Sequence, residues 1–404
     1  MSRDGAPSLR TSRVGEVAPM PVGLTDEQRI LRESAERFFA SSYDFATRQR
    51  VLAGEAGFEH AHWRRLVELG WTAAPFAPAL GGLGLGLFDS AIIMRAIGAS
   101  LFVSPYFTSL QLAGRLVARR CATERARELL APVISGQRHL ALATSEPRSR
   151  FEARIVDTTA TATAGGYAIS GEKRVVAWAE AADRIVVTAR TAGGRAETRG
   201  ISLFMIDRDA PGVSEKRYRT VDGHRASDIR LDGVRVPPDA LLGEPDTAFD
   251  DLETVCGHAT VLLAAEAVGC MSALRGRTLD YVKQREQFGR PIGKFQAVQH
   301  RLVDIDVEHD TAEAIVFAAA EHIDRGADAA QRARLASSAK AQVGWSGQFV
   351  GEEAVQLHGA IAMTNDLPVG HYLKRLTAIG VAFGDSAYHV RRFQSLDGFS
   401  VSTP

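Results

Sequence analysis

Cysteine is scarce in this sequence, and that scarcity already excludes several kinds of site. The 404 residues contain three widely spaced cysteines and no CxxC pair. This usage argues against a disulfide framework or a structural zinc site and favours a reducing, cytoplasmic compartment. The histidines show no metal-ligand spacing with carboxylates, so no metal site is predicted.

An excess of charge of one sign is also missing, as is a long apolar run. Lys+Arg and Asp+Glu each number 48, so no net field attracts nucleic acid or an anionic membrane. No apolar run approaches the length that spans a bilayer, and no membrane association is predicted. Residues 1–22 are polar and lack an apolar signal core, which indicates a flexible N-terminal tail.

The hydrophobic period changes twice along the chain. Residues 23–136 have helical spacing, which a capping box at Thr25 opens. From 137 to 246, short alternating segments separated by Gly-Gly and Pro-Gly turns predict strands. Residues 247–404 are again helical, and the Ala-rich stretch 318–341 is predicted to lie in one bundle helix. The order predicts an α+β chain with an N-terminal α-helical domain, a small β-barrel or sandwich domain and a C-terminal four-helix bundle.

The most informative stretch is a predicted corner between two helices, at residues 281–300. Gly289 and a nearby proline end the first helix, and apolar spacing resumes soon afterwards. Between the helices lie Arg285, Gln287 and Phe288, a planar cation, an amide and an aromatic ring. Such a set can grip a phosphate and face a flat ring. The alternative interpretation is a polar helix–helix corner with Phe288 as a plug.

This corner resembles a family signature. Residues 285–296, REQFGRPIGKFQ, are similar to the first signature of the acyl-CoA dehydrogenase family, and residues 356–359, QLHG, to its second. The Ser-Glu-Pro at 145–147 resembles a turn at the start of the family's β-domain. The resemblance covers nearly the whole chain. It implies FAD, an acyl-CoA substrate, Cα–Cβ desaturation in fatty-acid β-oxidation, and electron transfer flavoprotein as the acceptor.

The resemblance also indicates where a catalytic carboxylate should stand. In the family, this group removes a proton from Cα while the flavin accepts a hydride from Cβ. Its two known positions read Phe383 and Ala259 here, and neither side chain can accept a proton. Glu266 and Asp385 are the candidate substitutes, although a buried Glu paired with an Arg is a common structural feature. No catalytic residue is therefore assigned.

Each FAD in the family lies between two subunits, and the resemblance is unequal for the two sides of that site. The set that grips the adenosine pyrophosphate from the neighbouring subunit is present, with one glycine replaced by alanine: Arg285, Gln287, Phe288, Gln356, Gly359 and Ala360. His358, beside this set, either lines the flavin or is a structural histidine.

The set that holds the flavin ring is altered. The strand after Lys173 reads Val-Val-Ala-Trp, the usual threonine is Asp385, and a pair of small residues is replaced by Arg150 and Phe151. Trp178 then either plugs a vestigial flavin site or belongs to the core.

This asymmetry predicts a non-catalytic subunit of a heterotetrameric acyl-CoA dehydrogenase. A homologous partner subunit would supply the catalytic Glu and most contacts to the acyl-CoA. Two other possibilities remain open, a homo-oligomeric dehydrogenase with a non-standard base and a flavin-free scaffold subunit.

Overall fold

The computed structural model describes residues 23–396, and every structural statement below refers to that part of the chain. Its N-terminal third is helical, as the spacing predicts. A π-helix, Phe107–Gly114, leads directly into α5. The helices are α1 (Asp26–Ser42), α2 (Phe45–Ala53), α3 (His60–Glu68), α4 (Leu87–Ser100), α5 (Arg115–Arg120) and α6 (Thr123–Ile134).

Helix α1 begins at the predicted capping box. The Gln28 amide donates to the Thr25 hydroxyl at 3.2 Å, and the Thr25 amide donates to the Gln28 side chain at 3.2 Å. Two otherwise unpaired amides at the helix start are satisfied in this way. The same helix buries Ala35, Phe38 and Phe39 against the core.

The middle of the chain forms one seven-stranded sheet in the order β1-β4-β2-β3-β7-β6, with β5 paired to β4. Strand β1 runs parallel to β4, whereas β3, β7 and β6 are joined as antiparallel neighbours. The sheet has an apolar core of its own, separate from the main core. The strands are β1 (Leu140–Ala143), β2 (Thr159–Thr163), β3 (Gly166–Ala177), β4 (Arg184–Arg190), β5 (Ile201–Asp207), β6 (Val213–Arg219) and β7 (Arg225–Val236).

The C-terminal part is a helical bundle, which confirms the predicted fold class. A short hairpin of β8 (Glu286–Gln287) and β9 (Arg290–Pro291) replaces the simple corner between the first two helices. The helices are α7 (Phe249–Gln284), α8 (Gln296–Asp324), α9 (Ala329–His358), α10 (Val369–Val381) and α11 (Ser386–Leu396). Helix α9 packs against each of the other four.

Two predictions about these helices are wrong. Residues 318–341 do not form one helix, because Gly326 adopts a φ of 95° and Asp328 caps a new helix by accepting from the Gln331 amide at 2.8 Å. The central helix α7 does contain an apolar stretch long enough to cross a bilayer. Since 89% of that stretch is buried inside the protein, it serves as the core of the bundle.

Candidate functional site

The hairpin after α7 projects its signature residues into solvent. Its two tip residues, Phe288 and Gly289, have φ values of 54° and 75°. Both values lie in the left-handed region, as a tight two-residue hairpin turn requires, yet bulky side chains rarely adopt it. Phe288 is 93% exposed, the highest value among the large apolar side chains. An exposed ring on a strained tip suggests contact with another molecule.

Arg285 ends α7 at the base of this hairpin. Its backbone carbonyl accepts from the Ile292 amide at 2.8 Å, which closes the hairpin. The side chain is exposed, and within residues 23–396 it has no carboxylate partner. The neighbouring Arg290 is used differently, because its guanidinium lies 4.2 Å from the centre of the Phe295 ring. Arg285 is therefore an available cation beside an exposed ring.

The second signature lies at the C-terminal end of α9. Gln356 is exposed on the last turn, and Gly359 caps the helix with a φ of 70°. A side chain added at Gly359 would meet no atom within 4 Å, so the surface beside it is open. Ala360 follows and is also exposed. These residues could receive a ligand without rearrangement.

A stacked pair of rings joins the two signatures. The rings of Tyr281 and His358 lie 4.3 Å apart and nearly parallel, and the Tyr281 hydroxyl donates to the His358 carbonyl at 3.2 Å. The His358 side chain is buried and donates from Nδ1 to the Ala354 carbonyl at 2.8 Å. His358 is thus a structural residue that fixes the end of α9 against the end of α7.

The two positions expected to carry the catalytic base both hold apolar side chains. Ala259 is completely buried in the middle of the core. Phe383 is half-buried in the turn between α10 and α11, and its ring lies 6.1 Å from that of Phe107, edge to face. Neither position offers a group that could accept a proton.

Glu266 is occupied by an ion pair, which argues against its use as a substitute base. Both of its carboxylate oxygens accept from Arg375, at 2.6 and 2.8 Å. The third nitrogen of the same guanidinium donates to Asp222 at 2.7 Å. Burial alone would raise the pKa of Asp222. The polar neighbours of Asp222, namely His224, Arg375 and Thr220, hold that pKa below its usual value. The network joins α7, α10 and the turn between β6 and β7.

Asp385, the other candidate acid, caps a helix. One of its carboxylate oxygens accepts from the Tyr388 amide at 2.7 Å, in the first turn of α11. This bond is a standard use of Asp before a helix. The interaction gives Asp385 a structural role at the start of α11.

The residues that would face a flavin ring are altered in the way the sequence suggests. Val175, in place of an aromatic residue, is 58% exposed. Trp178 is 3% exposed, and its ring packs against those of Phe58 and His224. Trp178 is accordingly buried between the helical and β parts, where it packs as a core residue, and its interpretation as a plug of a vestigial flavin site stays a prediction. Phe151 reaches α11, with its ring 5.4 Å from that of Tyr388.

Several buried polar residues were missed by the sequence analysis. Lys173 and Glu146 form a buried ion pair at 2.6 Å, and Lys173 also donates to Thr188 at 2.8 Å. Arg375 and Lys340 hold elements together across long sequence separations. The available signal was a charged residue within an apolar or small-residue segment, such as Lys340 among alanines and serines.

One cluster in residues 23–396 has the side chains of a metal site, namely His309, Asp310 and Glu313. Its donor atoms already have partners. His309 contacts Ser272 at 2.6 Å through Nε2 and Asp310 at 2.8 Å through Nδ1, while Glu313 accepts from Arg95 at 2.7 Å. The cluster is a hydrogen-bonded ion network between α4, α7 and α8.

Three domain profiles of one family match this chain. They describe the N-terminal domain at residues 25–137, the middle domain at 141–234 and the C-terminal domain at 250–394 of acyl-CoA dehydrogenases. The chain belongs to the acyl-CoA dehydrogenase family. FAD is the cofactor of this family, and FAD complexes occur among the similar structures.

Curated relatives and solved structures align with almost the entire chain. The 3-(aryl)acrylate reductase of Clostridium sporogenes is 28% identical over 374 residues, which cover 90% of this chain and 96% of the relative. The Tcur3481-Tcur3483 steroid ACAD is 28% identical with a TM-score of 0.83, covering 94% of this chain and 99% of that one. The ChsE4-ChsE5 complex from Mycobacterium tuberculosis shares the fold, with 24% identity, a TM-score of 0.84 and coverage of 95% and 99%.

The residues present fit one part of FAD better than the other. The exposed cation of Arg285, the exposed ring of Phe288 and the open surface at Gly359 match a pyrophosphate with an attached ring system. The ring-facing positions offer apolar groups at Val175 and Phe383. When bound, FAD supplies a hydride acceptor, while this chain supplies binding and orientation.

Proposed function

We propose that this chain is a subunit of an FAD-dependent acyl-CoA dehydrogenase that holds the adenosine pyrophosphate of FAD, while a homologous partner subunit supplies the catalytic Glu. The observation that carries the proposal is the unequal state of the two half-sites. Arg285 and Phe288 stand exposed and ready to bind, whereas Phe383 and Ala259 replace both possible bases.

The geometry around the substitute acids favours this proposal over a homo-oligomer with a non-standard base. Glu266 would have to leave a two-oxygen contact with Arg375 before it could accept a proton. Breaking a buried ion pair leaves an uncompensated charge and is strongly unfavourable. Asp385 would have to give up its cap on α11.

A partner of the same fold is consistent with the similar proteins. Two of the similar structures carry paired names, Tcur3481-Tcur3483 and ChsE4-ChsE5, the latter described as a complex. We extend this to a heteromeric tetramer in which most acyl-CoA contacts belong to the partner. Electron transfer flavoprotein is the proposed acceptor, and the cytoplasm the proposed location.

Co-expression with a neighbouring dehydrogenase gene tests the proposal. The purified complex should be yellow with a flavin absorption band, and this chain alone should bind little flavin. Arg285→Ala should empty the site, while Lys283→Ala, an exposed cation two residues away, should not. Full flavin occupancy in Arg285→Ala would contradict the proposal. If the chain alone dehydrogenated an acyl-CoA and lost that activity in Glu266→Gln, the result would favour the homo-oligomer with a non-standard base. A stable complex without flavin colour would favour the scaffold subunit.

A further inference from the structure

The turn between α10 and α11, Ala382–Asp385, has an unusual backbone for its sequence. Phe383 has a φ of 58° and Gly384 a φ of 117°. Glycine adopts positive φ freely, but a bulky aromatic residue does so mainly where its surroundings enforce it. Neighbouring residues must therefore hold Phe383 in this conformation.

Lys340 of α9 contacts the turn through two hydrogen bonds. Its side chain is completely buried, and Nζ donates to the Gly380 carbonyl at 2.9 Å and to the Gly384 carbonyl at 2.7 Å. Within residues 23–396 no carboxylate lies at ion-pair distance from Nζ. The last turn of α10 presents unpaired carbonyls with partial negative charge, which a cation satisfies. The ammonium thus bridges the end of α10 and the following turn.

A second contact supports the turn from α11. His389 is 1% exposed and donates from Nε2 to the Phe383 carbonyl at 3.1 Å. In that tautomer its Nδ1 accepts from the Ser337 hydroxyl, which lies 3.3 Å away on α9. Ser337 and Lys340 are neighbours on one face of α9, so both contacts tie the turn to the same helix.

We propose that Lys340 is the positioning residue of this turn, and that it fixes Phe383 as an apolar wall against Phe107, facing the uncharged part of the bound ligand. The wall stands at the position where catalytic members of the family are expected to carry their carboxylate. The ligand-facing part of the inference rests on the proposed function, but the positioning of the turn does not.

The charge state of Lys340 gives the inference a pH signature. Burial lowers the pKa of Lys340 to about 8, against the opposing effect of the Asp385 carboxylate. The other titratable group beside it is His389, whose pKa is lowered to about 3 by burial and by Lys340, so this imidazole is neutral. An open, solvated turn would restore the usual Lys340 pKa of 10.5, so above pH 8 the open turn binds more protons than the closed turn and a rising pH stabilises the closed turn. The neutral amine keeps N–H donors for both carbonyls.

Hydrogen exchange on the flavin-free chain tests the positioning of the turn. Lys340→Met removes the ammonium but keeps much of the volume, and Lys340→Arg keeps a charge that does not titrate. Lys374→Met, an exposed lysine on α10, is the matched control. We expect protection factors for residues 380–389 to fall about tenfold or more in Lys340→Met, with the β4–β5 sheet unchanged.

The pH dependence distinguishes positioning from general stability. After correction for the intrinsic pH dependence of exchange, wild-type protection in the turn should step upward as the pH rises above about 8, the value to which burial lowers the Lys340 pKa, and this step should be absent in Lys340→Met. Lys340→Arg, whose guanidinium does not titrate in this range, should protect the turn without the pH-dependent step. Turn exchange in Lys340→Met equal to that in Lys374→Met, or a wild-type profile without the step, would overturn the positioning role.

Flavin retention in the co-expressed complex tests the wall. Lys340→Met should retain severalfold less FAD than Lys374→Met, because Phe383 is no longer held in place. Unchanged retention would overturn the ligand-facing role of Phe383. If Arg285→Ala also retained all of its flavin, the proposed function would fail, whereas the exchange result for Lys340 would be unaffected.

Discussion

Helix α7 carries charge in two contrasting settings, at its middle and at its end. At the middle, Glu266 is buried and meets Arg375, which also binds Asp222. At the end, Arg285 is exposed beside Phe288 and has no carboxylate partner in the described chain. The first set is satisfied within the chain, while the second is left available. Arg285 is therefore a charge at this end of α7 that remains available to a ligand.

The largest expected effect comes from breaking the buried network. Arg375→Met would leave Glu266 and Asp222 as buried carboxylates without a cation. Removing one partner of a buried ion pair costs about 3–5 kcal/mol, and we expect the unfolding free energy from urea titration to fall by that amount. Lys374→Met, exposed on the same helix, should change it by about 0.5 kcal/mol or less. Equal stability in the two variants would show that the network is not structural.

Arg285→Ala should have the opposite profile. Its exposed side chain makes no ion pair within residues 23–396, so unfolding free energy should change by about 0.5 kcal/mol or less. A hydrogen bond to a charged group is worth about 1.5–3 kcal/mol, which corresponds to a loss of about 10- to 150-fold in FAD affinity. Flavin fluorescence titration of the complex measures the FAD affinity. If Arg285→Ala instead lost much stability and kept its flavin, Arg285 would be a structural residue like Arg375.

Phe288→Asn should separate stability from binding at the hairpin tip. Asn tolerates the left-handed region, and Asn-Gly is the preferred sequence for a hairpin turn with two positive φ values. We expect unfolding free energy to stay equal or to rise by up to about 1 kcal/mol, while FAD retention falls because the exposed ring is lost. Lys283→Ala, an exposed residue outside the binding set, serves as the control. A destabilised Phe288→Asn would mean that the ring packs within the subunit.

The last expected effect concerns pH and the surroundings of the buried network. Burial, reinforced by Arg375, lowers the pKa of His224 to about 3. The unfolded chain therefore binds one more proton than the folded chain between pH 6.5 and about 3, and stability falls as the pH falls through this window. Each such histidine contributes a slope of up to about 1.4 kcal/mol per pH unit. His224→Gln should reduce the slope of the unfolding free energy against pH, measured between pH 5 and 6.5. An unchanged slope would show that other titrating groups cause the loss of stability.

The sequence predicted the regular elements well where local signals were strong. The capping box at Thr25 and the alternation in residues 184–188 correspond to the start of α1 and to β4. It failed where a break depends on a few residues, as at Gly326 and Asp328 inside an Ala-rich stretch. The π-helix Phe107–Gly114 gave no sequence signal, because its apolar spacing resembles that of an ordinary helix.

In the candidate site, too, some residues could be predicted from the sequence and others depended on distant partners. Residue types predict the binding set and the absence of a base at Phe383 and Ala259, because these calls depend on side-chain chemistry at aligned positions, and both stay predictions. The status of Glu266 could not be read from the sequence, since its partner Arg375 lies 109 residues away. The same holds for Trp178, whose neighbours come from two other parts of the chain.

By itself, the sequence determined the family, the order of helical and β segments, and the chemical types at each site position. Those properties are local or follow from aligned motifs. Tertiary structure alone decided which charges are satisfied: Glu266 is bound by Arg375, Lys340 is buried beneath the turn of Phe383, and Arg285 remains exposed. The reason is physical, because a charge is buried at low cost only when folding brings a distant partner to it.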